Sequence, residues 1–208
     1  MVNTSKLIFA TLYDYLFDFR HGTDTCQPVE LDELTINSAN TTHGSPYESS
    51  KAHDLKKLFR HFHFPKDSVL VDLGSGKGKV LLATWEFKFK KVIGIEFSEE
   101  LTKIAKRNIE IFEKKKGKRP VEVICADALK YNFNGDENVF FMFNPFGAPV
   151  IEGFIARLQE SIEKSPRKVW FIYRNPTQRN VFDKNPKFKL VKKITSMGTE
   201  YLIYIYGI

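Results

Sequence analysis

Three glycines at alternate positions, Gly74, Gly76 and Gly78, follow the apolar run Val69 to Leu73 and precede an apolar stretch of helical length, Val80 to Phe89. Strand, glycine turn and helix, in that order, open an α/β domain whose backbone comes close to a nucleotide. The residue that most narrows the ligand is Asp72, two places before the first glycine. A carboxylate there repels a pyrophosphate and attracts a cation. A dinucleotide turn of the form Gly-x-Gly-x-x-Gly would also need glycine where Lys79 stands. An NAD(P)-binding oxidoreductase is therefore the weaker alternative.

Two more acids close two more strands. Val92 to Ile95 ends in Glu96, about 20 residues past Gly74, the spacing at which an acid meets ribose hydroxyls. Val121 to Cys125 leads into Asp127-Ala128, where Asp127 can accept an exocyclic adenine amine. Taken singly, these pieces also fit a plain strand-to-helix turn, a solvated strand end and a helix N-cap. In this order they suit a nucleoside that carries an ammonium and a sulfonium. The chain resembles the class I S-adenosylmethionine-dependent methyltransferases through Asp72-x-Gly74-x-Gly76-x-Gly78, Glu96 and Asp127-Ala128. A shorter similarity, Val-Asp-Leu-Gly-Ser-Gly followed by Gly-Ile-Glu, is to the non-SET lysine methyltransferases. The resemblance implies S-adenosylmethionine as cofactor, held by Asp72, Gly74, Ser75, Gly76, Gly78, Glu96, Phe97, Asp127 and Ala128.

The alternation continues with strand Val139 to Phe143, an amphipathic helix Val150 to Lys164 and strand Lys168 to Tyr173. Phe188 to Ile194 and Tyr201 to Tyr206 read as strands joined by a hairpin loop, Thr195 to Thr199. Strands alternating with helices predict a doubly wound Rossmann-like sheet, mostly parallel, with helices on both faces. The resemblance implies seven strands, the last antiparallel. The fourth strand ends in Asn144-Pro145-Phe146-Gly147, and strand C-termini line the ligand crevice in such sheets. The position matches an amino-methyltransferase motif of Asp or Asn, Pro, Pro and an aromatic residue, without its second proline. It implies that Asn144 and Pro145 accept the N–H groups of an acceptor amine and that Phe146 stacks on the substrate. The departure counts against a flat nucleobase. A strand-terminating turn is the other reading of Asn-Pro. Tyr173 and Asn175 are secondary rim candidates.

Residues 1–65 stand apart from the domain predicted over 66–208. Ile8, Leu12, Tyr15, Leu16 and Phe19 share one face of a helix over about Lys6 to Phe19, and a second helix runs over Ser49 to Phe62, with a loop at 41–47 between. This extension reads as a cap or lid. At 208 residues the chain suits one compact unit. Two cysteines, Cys26 and Cys125, the latter expected inside a buried strand, rule out a disulfide scaffold and suit the cytoplasm. Asp14 and Asp18 break the short apolar run at the start, so no secretory signal or membrane span is expected. The net charge of +7 invites nucleic acid. The densest basic run, residues 114–119, however, falls at a helix C-terminus far from the glycine turn, where cations offset the helix dipole. His61-x-His63 lacks further ligands at metal spacing, so no metal is expected. The sequence thus predicts N-methylation of an amine on a protein or small molecule. A nucleic-acid base methyltransferase and a non-catalytic cofactor-binding protein remain alternatives.

Overall fold

The computed structural model describes residues 4–27, 29, 50–60, 62, 64–144, 146–196 and 198–207. The loop at 41–47, His61, His63 and Pro145 lie outside them. Helices α1 (Thr4–His21) and α2 (Ala52–Arg60) precede β1 (Val69–Leu73), α3 (Lys79–Ala83), β2 (Lys91–Glu96), α4 (Glu99–Lys116) and β3 (Val121–Cys125). After a short 3-10 turn, Ala128–Lys130, come β4 (Glu137–Phe143), α5 (Ala148–Lys164), β5 (Val169–Arg174), α6 (Asn180–Asp183), β6 (Phe188–Ser196) and β7 (Thr199–Tyr206).

All seven strands form one sheet in the order β3-β2-β1-β4-β5-β7-β6. The first five are parallel, and β7 inserts between β5 and β6, antiparallel to both. The fold is therefore the doubly wound, mostly parallel Rossmann-like sheet. Strands β1 and β4 are buried on both faces, as parallel central strands are when helices cover each side. One core, built on Leu70, Phe59, Leu81 and Phe141, lies under α2, α3 and α4. The other, built on Val71, Phe140, Phe154 and Phe171, lies under α5. Ser196 pairs with Thr199 and Arg174 with Tyr201, so the β6–β7 hairpin hangs at the C-terminal edge of the parallel strands.

Three sequence expectations need correction. The apolar stretch after the glycines is helical only to Ala83, because the Thr84 hydroxyl donates back to the Val80 and Leu81 carbonyls and the chain turns. Cys125 is exposed, since β3 is an edge strand. The ladder between β6 and β7 runs to the Ser196–Thr199 pair, so the hairpin loop is shorter than the expected Thr195 to Thr199.

The helix expected over about Lys6 to Phe19 is present as α1, and its apolar stripe is the exposed face. α1 turns Ala10, Asp14, Phe17, Asp18 and His21 inward, while Ile8, Leu12, Tyr15, Leu16 and Phe19 face solvent. The reason is a buried cation. Lys79 Nζ, 2% exposed, lies 3.8 Å from both Asp14 Oδ1 and Asp18 Oδ1 and 4.8 Å from the centre of the Phe17 ring. Asp14 also accepts the amide of Ala52 at 2.8 Å, satisfying the N-terminus of α2. Asp18 accepts from the amide and hydroxyl of Thr25 and the hydroxyl of Thr23. Burial raises the Asp18 carboxyl, but Lys79 and hydrogen bonds from Cys26, Thr25 and Thr23 outweigh it and hold it below the usual range.

Candidate cofactor and acceptor sites

The glycine loop is shaped by backbone that other residues avoid. Gly74, Gly76 and Gly78 have φ of 73°, 52° and 84°, the left-handed region glycine enters without Cβ strain. The loop folds tightly over β2. Gly74 and Ser75 both donate to the Ile95 carbonyl, at 2.9 and 3.0 Å. A Cβ at Gly94 would lie 2.6 Å from Ser75 Oγ, so that strand position must stay bare. Gly94 entered the sequence reading only as part of Gly-Ile-Glu; the signal for this close approach was a glycine inside an otherwise β-branched strand.

Glu96 ends β2 with its carboxylate buried beneath the loop. Its Oε2 accepts the Gly76 amide at 2.8 Å and its Oε1 the Ser98 amide at 3.0 Å. Burial raises its carboxyl, against the lowering effect of amides from Ser98, Gly76 and Phe97. Asp72 stands beside it, one residue before the end of β1, also buried, and its Oδ2 has no hydrogen-bond partner. Burial first, and then the Glu96 charge, push its carboxyl well above the usual carboxylate range. Two carboxyls share this corner, and ionising both without a cation is costly. Ser75 Oγ, also buried, likewise has no partner.

Around this corner the remaining predicted cofactor residues are arranged as strand ends. Ala128 is buried and Phe97 half-buried. Asp127 caps the 3-10 turn, accepting the Leu129 amide at 2.8 Å. From outside, the N-terminal segment clamps the loop. Lys77 Nζ meets both carboxylate oxygens of Asp24 at 3.1 and 3.2 Å. Asn108, buried in α4, donates to the carbonyls of Lys77 and Asp24 and accepts the Asp24 amide. This clamp was missed because Asp24 and Asn108 are far apart in sequence and ordinary in context.

The acceptor candidates lie at the ends of β4 and β5. Asn144 (φ 41°) and Asn175 (φ 50°) each follow a strand in the left-handed region, where asparagine is the best tolerated residue after glycine. The carboxamide oxygen of Asn144 accepts the hydroxyls of Tyr173, at 3.2 Å, and Thr177. The Tyr173 oxygen in turn accepts the Gln178 amide at 3.2 Å. Phe146 is half-buried and packs partly against the core under α5. Arg174, the next residue of β5, turns to the opposite face of the sheet; it is 3% exposed, its guanidinium 3.9 Å from the centre of the Phe143 ring and its Nε and Nη1 unpartnered. Tyr201 Oη and Asp54 Oδ2 are buried and unpartnered as well, and both line a cavity of about 260 Å³ between α2 and the β6–β7 hairpin. Arg174 was legible in principle: it is a charged residue closing an apolar strand, as Asp72 and Glu96 are. A larger cavity, about 570 Å³, lies between α5 and α6 and is lined in part by Ala148 and by Gln178, whose amide meets Tyr173.

Residues 31–139 match the family model of the histone methylation protein DOT1. The chain belongs to the DOT1 family. This DOT1-family chain is an S-adenosylmethionine-dependent methyltransferase, and the cofactor suits the corner described above: an unpartnered buried carboxylate beside a second one calls for a cationic ligand. Solved structures share its fold. The ribosomal protein L11 methylase of Lactobacillus delbrueckii subsp. bulgaricus is similar at 15% identity and a TM-score of 0.59, over 78% of this chain and 81% of that one. A SAM-dependent methyltransferase of Aquifex aeolicus gives 15%, 0.57, 74% and 90%, and the M1A22 tRNA methyltransferase of B. subtilis gives 15%, 0.56, 78% and 67%. No curated protein matches the sequence significantly. Among the described residues, no helix is long and apolar enough to cross a membrane, and no cluster of three His, Cys, Asp or Glu stands ready for a metal.

Proposed function

We propose that this chain N-methylates an amine and that the acceptor is a lysine side chain of a protein. The observation that carries the reading is the division of labour along the strand ends. Buried carboxyls close β1 and β2, whereas a strained asparagine tied to two hydroxyls closes β4. Strained non-glycine backbone concentrates at functional sites. The DOT1 description, histone methylation, favours a protein over a small molecule.

In this reading Asp72 faces the cofactor ammonium, Glu96 fixes the loop and meets the ribose, and Asp127 with Ala128 borders the base. Bound S-adenosylmethionine supplies an electrophilic methyl group. The work left to the protein is alignment, which is worth up to about 7–11 kcal/mol. Thr177, at the exposed end of its network, gives way to the acceptor N–H. Tyr173 stays and keeps the Asn144 oxygen aimed at the amine. The acceptor must arrive unprotonated, so that its lone pair is free to meet the methyl group. Residues 1–65 act as a cap: the Asp24–Lys77 pair and Asn108 supply its contact with the glycine loop.

The net charge of +7 favours a second reading, a nucleic-acid acceptor. Labelled methyl transfer into a lysate, followed by protease or nuclease digestion, separates the two. Methyl-lysine in the protein fraction supports the proposal, and label released by nuclease overturns it.

A further inference from the structure

The outer face of α1 exposes Ile8, Leu12, Tyr15, Leu16 and Phe19, each at least half accessible and Phe19 at 88%. The polar face of the helix is committed inward through Asp14 and Asp18, so rotation cannot hide the stripe. Ile8, Leu12, Tyr15 and Phe19 are spaced by four, three and four residues, the a/d spacing of a helix seam that packs on another helix. α1 lies outside residues 31–139, so nothing in the family match accounts for it.

We infer that α1 is a self-association surface and that its partner is α1 of a second copy of this chain. An aromatic side chain carries about 150–250 Å² of surface, and the aliphatic ones somewhat less, so the stripe uncovers on the order of 600 Å² per copy. A pair would bury about 1,200 Å², the lower edge of a stable, specific interface, and a patch of this extent is at the upper end of what a lone monomer shows. An a/d seam facing its own copy is self-complementary, as a two-fold contact requires. A lipid surface suits α1 poorly. Interfacial helices carry Lys and Arg along a solvated polar face, whereas this polar face is acidic and buried.

The test is sedimentation equilibrium of the full chain beside Leu12→Glu and Phe19→Glu, both at exposed positions. Wild type should pass from one-chain to two-chain mass with a dissociation constant of about 1–100 µM. The variants should stay at one-chain mass with unchanged S-adenosylhomocysteine affinity and melting temperature, which shows that they fold. A wild type of one-chain mass well above that range overturns the inference. A dimer that survives both substitutions does so equally, as does a monomer that pellets with phosphatidylcholine–phosphatidylserine vesicles.

Discussion

Glu96 holds Gly76. The carboxylate that ends β2 accepts the amide at the centre of the glycine loop at 2.8 Å, and with its other oxygen it accepts Ser98, the N-cap of α4. One side chain thus sets the loop, the strand end and the next helix. Hydrogen bonds to a charged acceptor contribute about 1.5–3 kcal/mol. Glu96→Ala should weaken S-adenosylhomocysteine binding by at least about tenfold in calorimetry. A folded variant with wild-type affinity would remove Glu96 from the binding site.

Lys79 is the inner fastening of the N-terminal helix. Truncating one partner of a buried ion pair costs about 3–5 kcal/mol, because the other charge stays buried and alone. Lys79→Met should lower unfolding stability by that amount in urea titration. Adding Asp14→Asn and Asp18→Asn should recover part of the loss, since the stranded charges are then gone. A single variant as stable as wild type would mean that α1 is held by its apolar contacts instead.

At the acceptor end, three substitutions separate backbone from chemistry. Asn144→Gly relieves the positive φ but removes the carboxamide. Turnover should fall by on the order of a hundredfold, with cofactor affinity within about twofold. Tyr173→Phe should lower turnover as well, by releasing the carboxamide, whereas Thr177→Ala should leave it near wild type. Steady-state rates on the methylated protein provide the comparison. A fully active Asn144→Gly enzyme would reduce Asn-Pro to a strand terminator.

The sheet and the class of cofactor were legible in sequence because the signals there are local. An acid before alternating glycines, and apolar runs that stop at charged residues, need no distant partner to be read. Periodicity gave α1 as a helix but not which of its faces is buried, for a physical reason. The apolar stripe Ile8 to Phe19 was real, but burial went to Asp14 and Asp18, whose partner Lys79 lies far along the chain. The same limit hid the Asp24–Lys77–Asn108 clamp and the Arg174–Tyr201–Asp54 neighbourhood. A buried polar residue is identified by what it touches, and no spacing rule gives that. Cys125 failed differently, since an apolar strand does not announce whether it lies at an edge.

Asp72 and Glu96 together make the central claim: a preformed cation site at the ends of β1 and β2. With its pKa raised in the folded state, Asp72 holds a proton that the unfolded chain has released, so apo stability falls as pH rises from the ordinary carboxylate range through the raised value. Asp72→Asn should therefore raise the apo melting temperature above that range by about 2–4 °C per kcal/mol regained. A cationic ligand prefers ionised Asp72, so its binding should expel the proton, and affinity should climb with pH until Asp72 is ionised in the free protein. Calorimetry of S-adenosylhomocysteine binding, repeated in buffers of different ionisation enthalpy, counts that proton directly. The account predicts net proton release below the raised pKa, lost in Asp72→Asn together with most of the affinity. Binding without proton exchange at any pH, and as tight in Asp72→Asn as in wild type, would contradict it.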